Sequence, residues 1–396
     1  MPYHIDPTQD FGNTPTFNKL IRPLNDILHG IPELESRGNR PLQMDFEHQL
    51  KALIFYHLEE HSSGRHLLQV LEEDDFAKNN IAPPNGIKKS SFFEALNTRG
   101  LNHLQLVFDM LQNTAVNLLP SDYGNLGSLV AIDGSLIDAV LSMTWADYRQ
   151  GSKKAKIHFG LDLNAGIPQK IYLTDGKSDE RPFVSDILLP GQTGVLDRGY
   201  QKHALFDKWE DEGKFFVCRI KSKTDREVLE MYKTDADNDG TVFFDAKVKL
   251  GTEGVNQTRH AIRLIGYKIG NTDYWVATNR FDLEAAQIAF IYKLRWDVEK
   301  FFKWWKRHLK VYHIIARTEY GLLVQILTGL ITYLLLSIYC HNNYGEKVSI
   351  RRVREIRIRI QNESRKIYHL PQKVIVKDHK RCQEIPDVIR IQKHEL

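Results

Sequence analysis

Between Tyr292 and Arg307 the chain reads Tyr292-Lys-Leu-Arg295-Trp-Asp297-Val-Glu299-Lys-Phe-Phe-Lys303-Trp-Trp-Lys306-Arg307, with two carboxylates set among cations and indoles. On a helix of about 3.6 residues per turn, Tyr292, Arg295, Glu299 and Lys306 fall within roughly 60° of one another. Asp297 points about 160° away from Glu299. One face then carries an acid able to hold a metal ion, bracketed by cations able to hold phosphates. Phosphodiester chemistry uses both.

One acid does not make such a site, and two others stand in positions to join it. Leu129 to Asp133 is a short apolar run ending in an acid, and Gly194 to Asp197 is another. Two strand-end acids and one helix acid can converge on a pair of divalent cations. Hard oxygen donors with open positions suit magnesium or manganese. Such a pair activates a water or a 3′-hydroxyl and stabilises the leaving oxygen of an in-line displacement. Asp138, shortly after Asp133, competes for the first position and reads instead as a local cap.

The spacing Tyr292-x2-Arg295-x3-Glu299-x6-Lys306 matches a Tyr-Arg-Glu-Lys signature, and here the chain resembles the insertion-sequence-four family of bacterial DDE transposases. The family's first-acid motif is similar to Val130-Ala131-Ile132-Asp133-Gly134-Ser135, and its second to Leu196-Asp197-Arg198-Gly199-Tyr200. The resemblance runs from about Leu129 to Lys310. It implies an α/β fold: a ribonuclease-H-like catalytic core with a β-rich insertion, at about residues 221–279, between the second and third acids. It implies that Asp133, Asp197 and Glu299 are catalytic and ligate two Mg2+ or Mn2+ ions. Tyr292, Arg295 and Lys306 would contact phosphates near the transposon end, with Lys303 and Lys310 as DNA contacts outside the motif. Family members hold a flipped base against an indole on the last insertion strand. Tyr274 and Trp275 are the candidates, and neighbouring strand residues face opposite ways. Trp296, Trp304 and Trp305 read as core or helix-face packing.

The activity implied is that of a DNA transposase acting on double-stranded DNA. It would cleave at terminal inverted repeats and transfer the strand to target DNA, by a cut-and-paste route through a hairpin. A homodimer in the DNA complex and a bacterial cytoplasmic location, nucleoid-associated when bound to DNA, go with it. The second reading of the same residues is an inactive transposase-derived DNA-binding protein.

These residues need elements to position them. The first ~125 residues carry apolar residues at helical spacing over Phe46–Glu59, Gly64–Leu71, Ser91–Leu96 and Asn102–Leu111, which predicts a helical N-terminal domain. Asn79–Ile87, with Pro83, Pro84 and Gly86, reads as a loop, and Lys88-Lys89-Ser90-Ser91 as a capped helix start. That module fits a DNA-reading helix-turn-helix or a plain bundle equally well. After Pro120 the pattern turns to strands: Ile157–Asp162 and Gln169–Leu173 flank an Asn164-Ala165-Gly166 turn as a hairpin. Ser178–Leu189 and Gln201–Glu212 read as helices, and Lys214–Ile220 as a strand. Short strands fill Val242–Thr278, and Leu283–Lys310 reads as one long basic helix. Three regions follow: 1–125 helical and DNA-binding, 126–340 catalytic, and 341–396 a basic C-terminal region.

Composition narrows the class. With 42% hydrophobic and 26% charged residues over 396, the chain is ordinary for a globular protein able to bury a sizeable core. The net charge is +4, yet residues 345–396 hold 14 Lys/Arg against 7 Asp/Glu. That +7 leaves −3 for the rest, an asymmetry that fits a polyanionic partner or a solvated surface. Cys218, Cys340 and Cys382 form no CxxC pair, which argues against a disulfide framework or a thiolate zinc site. Met1–Thr16 is polar and reads as no signal peptide, so the terminal Lys-His-Glu-Leu reads as chance. Gly321–Cys340 is uncharged and long enough to span a bilayer, but Gln325, Thr328, Thr332 and Ser337 point to a buried core helix and no membrane.

Two motifs read as decoys. His57-Leu58-Glu59-Glu60-His61 matches an inverted zinc-protease pattern without a third ligand, and reads as a solvated helix face. Asp235 to Gly240 opens like a calcium loop, but its twelfth position is Ala246, and a tight turn is expected.

Overall fold

The computed structural model describes residues 15–36, 41–59, 61–140, 142–149, 152–232, 241–309, 311 and 313–364. Among these, six helices come first: α1 (Thr16–Leu28), α2 (Phe46–Leu58), α3 (Gly64–Glu73), α4 (Asp75–Asn80), α5 (Lys89–Thr98) and α6 (Leu101–Leu118). Strands β1 (Leu129–Asp138), β2 (Asp147–Arg149), β3 (Ser152–Asp162) and β4 (Ile167–Asp175) follow. The short α7 (Val184–Ile187) leads to β5 (Thr193–Leu196), α8 (His203–Asp211) and β6 (Phe215–Arg219). Beyond β7 (Arg226–Met231), β8 (Val242–Leu250), β9 (Ile262–Ile269) and β10 (Thr272–Thr278) lie α9 (Ala285–Leu294), α10 (Trp296–His308), α11 (Glu319–Tyr344) and α12 (Ile350–Ser364).

The strands form one ten-stranded sheet ordered β2-β3-β1-β5-β6-β10-β9-β8-β7, with β4 also paired to β3. β1 pairs antiparallel with β3 and parallel with β5, and β5 pairs parallel with β6. The sheet is buried on both faces, so its middle strands are near-continuous apolar runs rather than alternating ones. Leu129, Ala131 and Ile137 of β1 join a core shared with α1–α6 and α9–α12. Val130 and Ile132 join a second core with α7, α8, β5, β6 and β8–β10. Successive strand residues face opposite sides, so β1 is the wall between the two cores.

The hairpin of β3 and β4 forms as expected, with register Ile157↔Leu173. Several expectations change. β1 does not end at Asp133: its ladder with β3 runs on to Asp138↔Lys154. Asp138 is no cap, because its carboxylate pairs with Lys154 at 2.6 Å. The basic helix is two helices joined at Arg295, where the Arg295 N–H bonds to Tyr292 O and the Val298 N–H to Arg295 O. These three-residue closures tighten the chain and re-aim the second helix. Of Ser178–Leu189 only α7 and a 3-10 turn at Arg181–Phe183 are helical. The α5 cap is Lys88 with no side-chain bond, since both serines fall inside the first turn. α1 adds a helix to those expected, with Phe17, Leu20, Ile21, Leu24 and Ile27 at helical spacing on its buried face, whereas α4 and β7 carry no clear sequence signal.

α11 is long and apolar enough to cross a membrane, but 89% of its most apolar window is buried. The hydroxyls of Thr328, Thr332 and Ser337 donate to carbonyls four residues back, at Val324, Thr328 and Tyr333. That is how a fully buried helix satisfies such groups. α11 packs on α1, α2, α5, α6 and β4. The His57 motif is buried rather than solvated: its ring nitrogens stand 2.6 Å from Leu309 O and 3.0 Å from Gln325 O. Both ring nitrogens face backbone carbonyls in a buried setting, so neither is open to a metal. Residues 233–240, with the calcium-like loop, and Cys382 lie outside the described residues.

Candidate active site

The parallel register sets Leu129 level with Thr193 and Ala131 level with Val195. The same offset carried two residues on puts Asp133 level with Asp197. Asp133 projects with Ala131 to the face covered by α10, which packs across β1. Asp133 Oδ1 accepts from the Gly134 N–H at 2.9 Å. Asp197 leaves β5 and caps the 3-10 turn Arg198–Tyr200, its Oδ1 accepting from the Gly199 N–H at 2.7 Å.

Glu299 lies in the first turn of α10, where its Oε1 accepts from Arg295 at 2.7 Å. The Arg295 guanidinium is buried, its Nε has no hydrogen-bond partner among the described residues, and it lies close enough to Asp133 to favour that carboxylate. Its carbon also stands 5.9 Å from the Tyr292 ring centre and 5.2 Å from that of Trp296. Trp296 is 51% exposed, so it is a helix-face group and no part of the core; Trp304 and Trp305 pack inward. Burial lifts the Asp133 carboxyl to about 7, with Glu180 and Asp197 adding to the rise and Gly134 and Arg295 opposing it.

Lys306 reaches back to β1, donating to Ser135 Oγ at 2.5 Å and Leu136 O at 2.6 Å. Burial pushes its ammonium down to about 8. Lys303 is exposed on the same helix, and Lys310 lies outside the described residues. The two aromatic candidates separate cleanly. Tyr274 stacks on Tyr267 at 5.4 Å, stands 6.3 Å from Tyr292, and has Arg219 over its ring at 4.7 Å. Trp275 turns to the other side, against Phe243, Phe244 and Arg226. Tyr274 is therefore the one that shares a face with Tyr292 and Arg295.

The donors suit a hard divalent cation: two carboxylates just beyond the paired stretch of neighbouring strands, one of them raised mainly by burial and further by nearby acids. Glu299 is paired with Arg295 here, and among the described residues no three His, Cys, Asp or Glu form a ready chelating group. Glu180 is the group that motif reading misses. Its carboxylate accepts from the Tyr200 hydroxyl at 3.1 Å and stands 3.2 Å from Lys156 Nζ. It lies in a stretch read only as helix, and no spacing rule links it to Asp133.

Residues 124–335 match the family model described as the transposase DDE domain. The chain is 27% identical over 194 residues to the probable transposase for insertion sequence element IS5377 of Geobacillus stearothermophilus, covering 49% of this chain and 52% of that one. It is 25% identical over 219 residues to a Synechocystis protein provisionally named as the transposase of insertion sequence element IS4SA, covering 52% and 59%. The chain thus spans little more than half the length of these curated relatives.

Proposed function

The chain belongs to the transposase DDE-domain family, and we propose that it is the transposase of a bacterial insertion sequence, cleaving DNA at the element's ends and transferring the freed strand. One observation carries the reading: β1 and β5 pair in parallel up to Ala131 and Val195, Asp133 and Asp197 follow two residues beyond that register, and Arg295, which holds Glu299, lies close to Asp133. The strand order β4-β3-β1-β5-β6 supports a ribonuclease-H-like core, with β7–β10 as the insertion continuing its sheet. Asp133, Asp197 and Glu299 are the proposed metal ligands. Two Mg2+ or Mn2+ ions held there would supply activation of the attacking oxygen and stabilisation of the leaving one.

The chain's own residues hold the substrate. Arg295 has an Nε without a partner among the described residues, open to a phosphate oxygen, and Tyr292 stands beside it. Tyr274, with Arg219 on its ring, offers a π-face to an extruded base. Lys303 adds an exposed cation, and Lys310 is kept as a further DNA contact on sequence grounds. Lys306 also ties α10 to β1, so its contribution to DNA is joined to a structural one. Helices of residues 1–125 and the basic region 341–396 are the proposed DNA-reading flanks. Two ends must meet, so a homodimer in the DNA complex and a hairpin route belong to the same reading.

The test is cleavage of a duplex bearing the element's terminal repeat with Mg2+. Wild type nicks it, while Glu299→Gln binds the duplex with little change and loses cleavage by several orders of magnitude. Equal cleavage by both removes the catalytic assignment. Binding by wild type without any metal-dependent nicking favours the inactive DNA-binding derivative instead.

A further inference from the structure

The β1–β5 ladder ends at Ala131 and Val195, and the two acids lie two residues beyond it. Backbone pairing between these strands does not fix their separation. On the reverse face of β1, Glu180 supplies the missing tie. An added Cβ on Gly134 would meet the Glu180 carboxyl at 2.5 Å, so the carboxylate rests directly on the backbone that follows Asp133. Gly134 is not among the glycines with left-handed φ, so close approach rather than backbone conformation requires a glycine there. The other side of the same carboxylate accepts from Tyr200, three residues after Asp197 and almost fully buried in the second core.

The segment carrying Glu180 is itself held. Lys156 of β3 pairs with Glu180 at 3.2 Å and donates to Ser178 O at 2.8 Å. The Phe183 ring stacks on His158 of β3 with centres 4.0 Å apart, and His158 is the register partner of Gly134. Glu180 is thereby fixed to the β3–β1 side and reaches across the open end of β5 to the turn that bears Asp197.

We propose that Glu180 is a positioning residue that clamps the Asp133 and Asp197 segments at their separation through Gly134 and Tyr200. This inference rests on the metal-site reading above. Outer partners of this kind change metal affinity by roughly 10–100-fold when removed, without touching the ion.

The experiment is Mn2+ titration of the full chain without DNA, followed by the electron-paramagnetic signal of free Mn2+, beside metal-free thermal unfolding. Tyr200→Phe and Glu180→Ala each weaken Mn2+ binding about tenfold. Glu180→Gln, whose amide oxygen still accepts from Tyr200, stays within about threefold of wild type. Gly134→Ala weakens binding too, and adds little on top of Glu180→Ala because both break one clamp. Wild-type Mn2+ affinity in Tyr200→Phe overturns the clamp, as does a loss in Glu180→Gln equal to that in Glu180→Ala. Asp197→Asn loses Mn2+ binding outright. Unchanged affinity in Asp197→Asn removes the metal-site reading itself, which separates the two failures.

Discussion

Asp133 carries its charge at a cost to the folded chain. Burial and the nearby Glu180 and Asp197 lift its carboxyl from 3.8 to about 7. Between those pH values the folded protein holds a proton that the unfolded chain has released, so stability falls as pH rises through this window. Above about 7 the full penalty is present. Asp133→Asn removes it. In chelator at pH 8 the variant should be more stable than wild type by on the order of 1–3 kcal/mol, and at pH 4 the two should match. Urea unfolding at both pH values measures this, and equal stability at pH 8 contradicts the buried-charge account. That Asp133 is a candidate was legible in the sequence, because an acid at the end of an apolar run is a local pattern. Its neighbour Glu180 was not legible, because the contact joins two loops through a third strand, and nothing local records it.

At the scale of elements, the join at Arg295 matters most. Helical spacing put Tyr292, Arg295, Glu299 and Lys306 on one face of one helix, but the 3-10 closure at Arg295 divides it. Tyr292 ends up near Tyr274, and Arg295 bonds to Glu299 while its charge acts on Asp133. Apolar periodicity reports that a segment is helical; it does not report a one-residue tightening inside it. The same limit applies to α7, where tertiary packing leaves four residues helical out of a longer periodic stretch. The far end of α10 makes a separate prediction. Lys306 pins the last turn to β1 through Ser135 and Leu136, so Lys306→Met should cost about 1–3 kcal/mol of stability. Lys303→Ala, on the exposed face, should cost almost nothing. Thermal unfolding of the two variants decides it. A Lys306→Met protein as stable as wild type, with only a flatter salt dependence of DNA binding, would make Lys306 a phosphate contact alone.

At the scale of the whole molecule, the N-terminal helices and the sheet share one core, with α11 between them. α12 closes that arrangement. Arg357 donates to Leu58 O at the end of α2 and to His308 O at the end of α10, while Glu363 accepts from the Thr16 backbone at 2.7 Å. One buried guanidinium therefore joins the first helices of the chain to the helix that bears Glu299. The sequence showed a basic region here but not its docking, because cation counts do not distinguish a solvated arginine from one that satisfies helix-end carbonyls. Arg357→Ala leaves those carbonyls without their charged donor and should cost about 2–4 kcal/mol. All six tryptophans lie between Trp145 and Trp305, so indole fluorescence follows the sheet, α8 and α10, whereas far-ultraviolet circular dichroism also follows α1–α6. With one shared core the two signals should move together in urea, for wild type and for Arg357→Ala at its lower midpoint. A dichroism transition that precedes the fluorescence transition in wild type would mean that residues 1–125 unfold as a unit of their own, and that α12 is a strap between two bodies rather than the seam of one.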